Sequence, residues 1–401
     1  MSGNQRGQFS ASAPTLGYFY QCRYALLEAL RRLPSGDRIC VSIETLDDVV
    51  FETDGTPIDI LQTKHHINSA GNLGDASIDL WKTLRIWVEG QSDGSIPLGA
   101  RFFLITTSLC SEGTAVAYLR PTGRNVSAAL ERLRATATTS TNQTNAAAYQ
   151  VFRELENNDQ VRLVESITVL DSSPSIGQLD DDLHQAIFHA VERQHLGSFL
   201  QRLEGWWFQR VIKHLLDDEA LPILGEELEA EESHIRSQFR QDNLPIDDDI
   251  MQESVDATGY LDRIFVEQLK LIGVNQNRIL SAITNYYRAF THRSRWIREN
   301  LIYVGDLERY ERKLIEEWDV MFQQMRDELG NSAAENAKTR AAQQLYKWIE
   351  AGSHIQIRPA VTEPAIARGT YQMLADGLKV GWHLEFRDRL EALLSGVEAS
   401  Q

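Results

Sequence analysis

The sequence predicts an α+β or α/β chain in two parts: a mixed sheet flanked by helices over residues 1–175, then a mostly α-helical domain over residues 176–401. Three observations carry this reading. Up to Ser175 short strand-like runs alternate with helical periodicity, whereas from Ile176 onward one amphipathic helical pattern follows another. Between them, Asp171-Ser172-Ser173-Pro174-Ser175 is a polar run whose proline interrupts either kind of element. The length of 401 residues, 42% of them apolar and 24% charged, exceeds what one ordinary core needs and suits two domains.

After Pro14-Thr15, Leu16, Phe19, Leu26, Leu27, Leu30 and Leu33 share one helical face, with Gly17, Gln21 and Glu28 opposite, and Pro34-Ser35-Gly36 ends the helix. Three strand-like runs follow: Ile39 to Glu44, Val49 to Glu52 and Ile58 to Lys64. The last two are joined by Thr53-Asp54-Gly55-Thr56, whose Asp-Gly is a hairpin signal. A helix around Ile78 to Trp87 precedes Arg101 to Thr107, which is apolar enough to be a strand buried on both faces, as in parallel pairing. Ala115 to Tyr149 reads as helical with a polar insert at Thr138 to Asn145, and Val161 to Leu170 as a further strand.

The second part offers helices over Leu179 to His195, Phe199 to Leu216, Leu224 to Phe239, Gly259 to Leu271, Arg278 to Asn300, Leu307 to Leu329 and Ala333 to Ile349. Leu200, Leu203, Trp206, Trp207, Val211 and Leu215 recur at helical spacing and are expected in the core. The acidic runs Glu226 to Glu232 and Asp247-Asp248-Asp249 read as solvated faces. Ile355 to Pro359 reads as a short strand, and Gly381-Trp382-His383 opens a last helical stretch.

Several functions lose support at once. Three cysteines, Cys22, Cys40 and Cys110, are too few and too scattered for a disulfide framework or a CxxC zinc site. With no apolar run of about 18 residues and a polar amino terminus, neither a membrane span nor an export signal is expected, and the predicted location is cytoplasmic. No phosphate loop, GxGxxG, GxSxG or HExxH occurs. His184, His189 and His195 are spaced around their helix instead of stacked, and read as surface residues. The net charge of -17, from 40 basic and 57 acidic residues, argues against a protein that coats nucleic acid by bulk electrostatics.

What remains is the hairpin. Glu44 ends the first strand, Asp47-Asp48 open the second, and Gln62-Thr63-Lys64 close the third. Side chains two apart on a strand share a face, so Gln62 and Lys64 project together. The arrangement suits phosphodiester cleavage: an Asp carboxylate and a second oxygen ligand hold a divalent cation, and a nearby lysine offsets charge developing on the phosphate. Gln62 offers an amide oxygen where a carboxylate is commoner, and the Thr63 backbone carbonyl can share the load. A second Gln-x-Lys, Gln268-Leu269-Lys270, falls in a predicted helix, where a spacing of two separates the side chains.

Gly17-Tyr18-Phe19-Tyr20-Gln21, Ser42-Ile43-Glu44, Asp47-Asp48-Val49 and Leu61-Gln62-Thr63-Lys64-His65 together resemble the double-stranded-DNA endonuclease domain of the PD-(D/E)xK superfamily. Within it, the chain is similar to nucleases associated with cyclic-oligonucleotide synthases in bacterial anti-phage systems, in a QxK variant. Leu203-Glu204-Gly205-Trp206-Trp207 and Gly381-Trp382-His383 resemble a C-terminal domain of effectors in ABC-three-component systems, also called Lamassu. The resemblance implies a restriction-endonuclease-like N-terminal fold and a Mg2+- or Mn2+-dependent endodeoxyribonuclease acting on dsDNA. Its implied partners are an SMC-like ABC ATPase and a small third subunit, with a homo-oligomer as the active form. Carried over by motif, the metal ligand is Asp47 or Asp48, with Asp48 favoured because it begins the apolar strand; Gln62, Lys64 and Thr63 complete the site, and Glu44 is the supporting acid.

The alternative is a non-catalytic scaffold with a degenerate nuclease fold that binds the ATPase. The retention of both an Asp48 and a Lys64 favours catalysis. Residues 1–175 carry 15 basic and 19 acidic residues and residues 176–401 carry 25 and 38, so the acidity is expected mainly in the helical half. A nuclease half that is only mildly acidic is expected to bind DNA weakly alone and to depend on partners or self-assembly.

Overall fold

Helix α1 (Ser12–Arg32) is the first element of the computed structural model, which describes residues 12–36, 38–53, 55–64, 73–217, 221–330, 333–351 and 355–390. Pro34 turns it into a 3-10 segment, Leu33–Ser35, which Gly36 closes at φ +75° by donating its N–H to the Leu33 carbonyl. The chain then forms an antiparallel meander of β1 (Ile39–Ile43), β2 (Val49–Thr53) and β3 (Thr56–Lys64). Helix α2 (Ile78–Asp93) crosses over to β4 (Arg101–Thr106), which pairs parallel with β3, as the doubly apolar run predicts. Helices α3 (Ala115–Tyr118), α4 (Val126–Thr139), α5 (Ala146–Glu154) and α6 (Asn157–Ser166) lead to β5 (Ile167–Leu170), parallel to β4. The sheet has six strands in the order β5-β4-β3-β2-β1-β6.

One face of this sheet packs Val50, Ile60, Phe102, Leu104, Ile167 and Val169 against Leu80, Trp81, Leu84, Trp87 and Val88 of α2 and against α3 to α6. The other face meets α1. Arg32 stacks over the Phe51 ring at 3.9 Å and, with Arg101, pairs the buried Asp59. Outside α1 lie α7 (Leu179–Ala186) and α8 (Leu196–Leu216). The Trp207 indole N–H donates to the Cys22 carbonyl at 2.9 Å, and Arg23 binds Glu204 at 2.5 Å and Asp180 at 2.7 Å. After α8, β6 (Ile223–Leu224) joins the sheet beside β1, and α9 (Gly225–Gln238) follows.

Two compact units result, Met1–Ile235 and Arg236–Gln401, so the division falls in the last turn of α9 and not at 175/176. Composition changes where helices begin to dominate, but α7 and α8 bury their apolar stripes on α1, and packing is what bounds a unit. The second unit contains α10 (Asp248–Gln252), α11 (Ile264–Leu271), α12 (Gln276–Arg298), α13 (Val304–Leu329), α14 (Glu335–Glu350) and α15 (Pro364–Asp376). Its core gathers Phe265, Leu269, Ile283, Leu314, Trp318, Tyr346, Tyr371 and Trp382.

Other expectations change too. Only the last four residues of Val161 to Leu170 are strand; the rest is α6. The predicted helix over Leu179 to His195 stops at Ala186, and His195 is buried in the 3-10 turn before α8. Gly259 to Leu271 is a 3-10 turn followed by α11, and 355–359 forms no strand. Of Asp247 to Asp249, Asp248 and Asp249 are exposed as expected, whereas Asp247, which precedes α10, is half-buried; Arg295 pairs with both Asp247 and Asp249. Leu200, Leu203, Trp207 and Val211 are core as expected, but Trp206 is half-buried and Leu215 is exposed. Among the described residues no helix is long and apolar enough to cross a membrane, and none of the three cysteines is in a disulfide.

Candidate active site

The register fixes where the hairpin acids lie. Val49 pairs antiparallel with Leu61 and Ile43 with Val49, while β3, β4 and β5 run parallel. The ends of β1, β3, β4 and β5 and the start of β2 therefore share one edge of the sheet, and that edge carries Glu44, Asp47, Asp48, Gln62, Thr63 and Lys64.

On β3, Ile60 faces the α2 core, so Gln62 and Lys64 belong to the same face. Gln62 is 3% exposed, and its amide oxygen accepts a long bond from the Thr83 hydroxyl of α2 at 3.4 Å. One turn further along α2, the Trp87 indole N–H donates to Asp47 Oδ2 at 2.6 Å. Asp47 and Gln62 thus meet adjacent turns of α2 on one side of the sheet. Lys64 is half-buried, and its charge acts on Asp47.

Asp48 is held differently. Its Oδ2 accepts the Thr63 N–H at 2.7 Å and the Thr63 hydroxyl at 2.8 Å, its own N–H donates to Asp47 Oδ1 at 3.0 Å, and its carbonyl accepts from Glu44 N–H at 3.1 Å. A further bond to that carbonyl comes from Gln21 Nε2 at 2.6 Å. The sequence pattern placed Gln21 on the side of α1 away from its apolar face; in the fold both sides of this helix segment are buried, and Gln21 is 4% exposed. Glu44 is exposed, with a left-handed φ of +56°, and its charge acts on Tyr18 and Cys22 of α1. The fold thus brings Asp47, Gln62 and Lys64 to one face, sets Asp48 beside them, and leaves Glu44 on the α1 side. His65, quoted in the motif, lies outside the described residues.

Burial, then the negative charge of Asp48, pushes the Asp47 carboxyl up to about 7, against the pull of Trp87, the Asp48 N–H and Lys64. Two adjacent acids that repel one another in a half-buried site are stabilised by a cation. The available donors are all oxygens: the two carboxylates, the Gln62 amide and the Thr63 carbonyl. Such a set fits a hard divalent ion such as Mg2+ or Mn2+. Among the described residues no group of three or more His, Cys, Asp and Glu is arranged to hold a metal, so the amide and carbonyl would have to contribute. Sequence reasoning missed Trp87 and Thr83. A buried indole N–H needs an acceptor, and that requirement was the available signal for Trp87.

The second Gln-x-Lys behaves as helical spacing requires. Gln268 is buried and donates to the Ala375 carbonyl at 2.7 Å, while Lys270 points to solvent and pairs with Glu267 at 2.7 Å.

Residues 265–390 match C-terminal domain 7 of the ABC-three component systems. The match assigns this segment to a C-terminal domain of those systems and leaves residues 1–264 outside it. The CTD7 region lies wholly within the second unit and includes Gly381-Trp382-His383, whereas Trp206-Trp207 belong to α8 of the first unit. No curated protein matches the chain. Among solved structures it is similar to the Acinetobacter baumannii Cap4 SAVED/CARF-domain containing receptor with the cyclic trinucleotide 3'3'3'-cAAA, at 13% identity and a TM-score of 0.32, covering 69% of each chain. It is also similar to the Moraxella osloensis Cap4 SAVED/CARF-domain containing receptor, at 13% identity and a TM-score of 0.32, covering 69% of this chain and 68% of that one. At those scores the likenesses carry no argument about fold or function.

Proposed function

We propose that the chain is the DNA-cleaving subunit of an ABC-three component defence assembly, with the first unit as a metal-dependent, restriction-endonuclease-like nuclease and the CTD7 region contacting the other components. The observation that supports this most is the convergence of Asp47 and Gln62 on adjacent turns of α2, on the face that Lys64 shares, with Asp48 beside them. Asp47 and Asp48, with the Gln62 amide and Thr63 carbonyl oxygens, would hold Mg2+ or Mn2+. A cation bound there supplies polarisation of a phosphate oxygen and a more acidic water. Lys64 offsets the negative charge that grows on the phosphate and orients the attacking oxygen by donating a hydrogen bond. Asp47, held by Trp87, keeps the acid pair aimed at the edge. The substrate is dsDNA, and the partners are an ABC ATPase and a third subunit, whose assembly concentrates several sites on one duplex.

The test is cleavage of duplex DNA by the full-length chain with Mg2+ or Mn2+, with and without its ATPase. Lys64→Ala should lose cleavage by a factor of about 100 or more while keeping its fold. Lys270→Ala, the matched control in the unrelated Gln-x-Lys, should cleave normally. Full activity in Lys64→Ala, or equal loss in both variants, rejects the site.

A second reading, a scaffold without catalysis, draws support from the same network. Both Asp47 oxygens and Asp48 Oδ2 already accept hydrogen bonds, so the edge is ordered by protein contacts alone. Metal-independent assembly with the ATPase and no cleavage under any condition would favour it.

A further inference from the structure

We infer that Gln21 is a positioning residue: its side-chain amide reaches from α1 to the Asp48 carbonyl and fixes the acid pair at the sheet edge for cation binding. The inference rests on the reading of Asp47, Asp48, Gln62 and Lys64 as the site. Gln21 touches none of the donors that would meet a cation, so it acts only through the Asp48 main chain.

The argument starts from burial. A primary amide that is 4% exposed within a run of core residues, Tyr20, Cys22, Tyr24 and Ala25, is unfavourable unless it is hydrogen-bonded. At 2.6 Å, the Nε2 to Asp48 carbonyl bond meets that need across 27 residues of sequence. The same carbonyl accepts the Glu44 N–H at 3.1 Å, so the loop from Glu44 to Asp48 is closed at one oxygen by a donor from the strand end and a donor from the helix. Glu44 sits at φ +56°, a conformation that a non-glycine residue keeps only when its surroundings enforce it. Asp48 is then held at its carbonyl, at its N–H by Asp47 Oδ1, and at Oδ2 by Thr63. The last two contacts belong to the hairpin itself, whereas Gln21 ties the loop to a different element.

That element does not yield. The residue after Gln21 gives its carbonyl to the Trp207 indole N–H at 2.9 Å, and the next, Arg23, is clamped by Glu204 and Asp180. Three consecutive residues of α1 therefore connect the acid pair on one side to α7 and α8 on the other. Rigid support of this kind holds the backbone that carries both carboxylates, as binding of one ion by the pair would require.

The experiment uses the full-length chain and two variants, Gln21→Ala and Gln21→Met; the second keeps nearly the volume but has no N–H donor. Tb3+ is the probe, with luminescence sensitised through Trp87, and its displacement by Mg2+ together with its loss in Asp48→Asn identifies the signal that arises at this site. Both Gln21 variants should weaken Tb3+ binding by about tenfold or more, the scale of losing an outer support of a metal ligand. They should keep a cooperative unfolding transition, with its midpoint lowered by the loss of one buried hydrogen bond, and accelerate amide hydrogen exchange at Glu44 and Thr63, with the sheet interior at Ile60 and Phe102 unchanged as the internal reference. Exchange at Glu44 and Thr63 equal to that of the unaltered chain overturns the inference, as does unchanged Tb3+ affinity. Accelerated exchange with no Trp87-sensitised signal even in the unaltered chain rejects the cation site and leaves the Gln21 clamp standing, so the two failures are distinct.

Discussion

His292 uses both ring nitrogens: Nδ1 donates to the Arg288 carbonyl at 2.8 Å, and Nε2 accepts the Asp247 N–H at 3.0 Å. That pair of bonds requires the neutral ring, and burial holds its pKa below the usual histidine value, with Arg295 adding to the depression and Asp247 and Asp249 opposing it. Because the unfolded chain takes the proton at a higher pH than the folded one, this stability is complete above about pH 6.5 and is lost as pH falls toward the folded value. His383 is depressed in the same direction, chiefly by burial. The second unit should therefore show a lower urea midpoint at pH 5.5 than at pH 7.5, and His292→Gln should narrow the gap. A gap of the same size in the variant would contradict the assignment. Asp47 also favours its neutral form, which for an acid means a raised pKa: burial, then the charge of Asp48, push it up to about 7.

Elements in this protein are set by how closely backbones approach. Helices α12 and α15 meet at Gly369, where an added Cβ would stand 1.9 Å from the Asn285 carbonyl oxygen and 2.5 Å from Ala289 Cβ. Neither backbone can step aside without parting the helices, so Gly369→Ala should destabilise the second unit by about 1–3 kcal/mol in chemical denaturation. A loss below a few tenths would mean that the pair is not close-packed. The same closeness explains why periodicity passed over α15. Ala365, Ile366, Ala367, Gly369, Thr370, Tyr371, Gln372, Leu374 and Ala375 are all buried, so the segment has no polar face to mark a period. In contrast, β1 to β4 and α2 were legible, because alternation, an Asp-Gly turn and a helical stripe coincide with their burial. Strand β6, two residues long, has no pattern to read.

At the scale of the whole molecule the charge is redistributed once the boundary is known. Residues 1–235 carry 19 basic and 32 acidic residues, and residues 236–401 carry 21 and 25. The unit with the candidate site therefore holds a net charge of -13, and the helical unit -4. The shift comes from α7 and α9, part of whose acidity is spent internally: Asp180 on Arg23, Asp182 on Arg31 and Glu227 on Arg210. The mildly acidic first half expected from the sequence does not exist as a unit of its own, so the proposed binding of a polyanion would have to overcome a net charge of -13. The boundary itself is testable. A fragment ending at residue 235 should unfold cooperatively in urea, whereas one ending at residue 175 lacks Glu204, Trp207, His214 and β6. It should therefore leave Cys22, Arg23 and Ile43 without their α8 partners and show no cooperative transition. Equal cooperativity in both fragments would restore the earlier division.

The sequence by itself determined the meander, the parallel strand after it and the placement of Asp47, Asp48, Gln62 and Lys64 at one sheet edge, because strand alternation and a two-residue turn are local rules. It also separated the two Gln-x-Lys tripeptides, since strand and helix periods differ. Only the tertiary structure decided which face Asp47 shares, that Gln21 reaches Asp48, and that α7 and α8 belong with the sheet. Those outcomes depend on pairs such as Trp87 with Asp47, 40 residues apart, and Trp207 with Cys22, 185 apart, for which no local period exists. Burial made their polar atoms find partners, and the packing of the whole unit chose which ones.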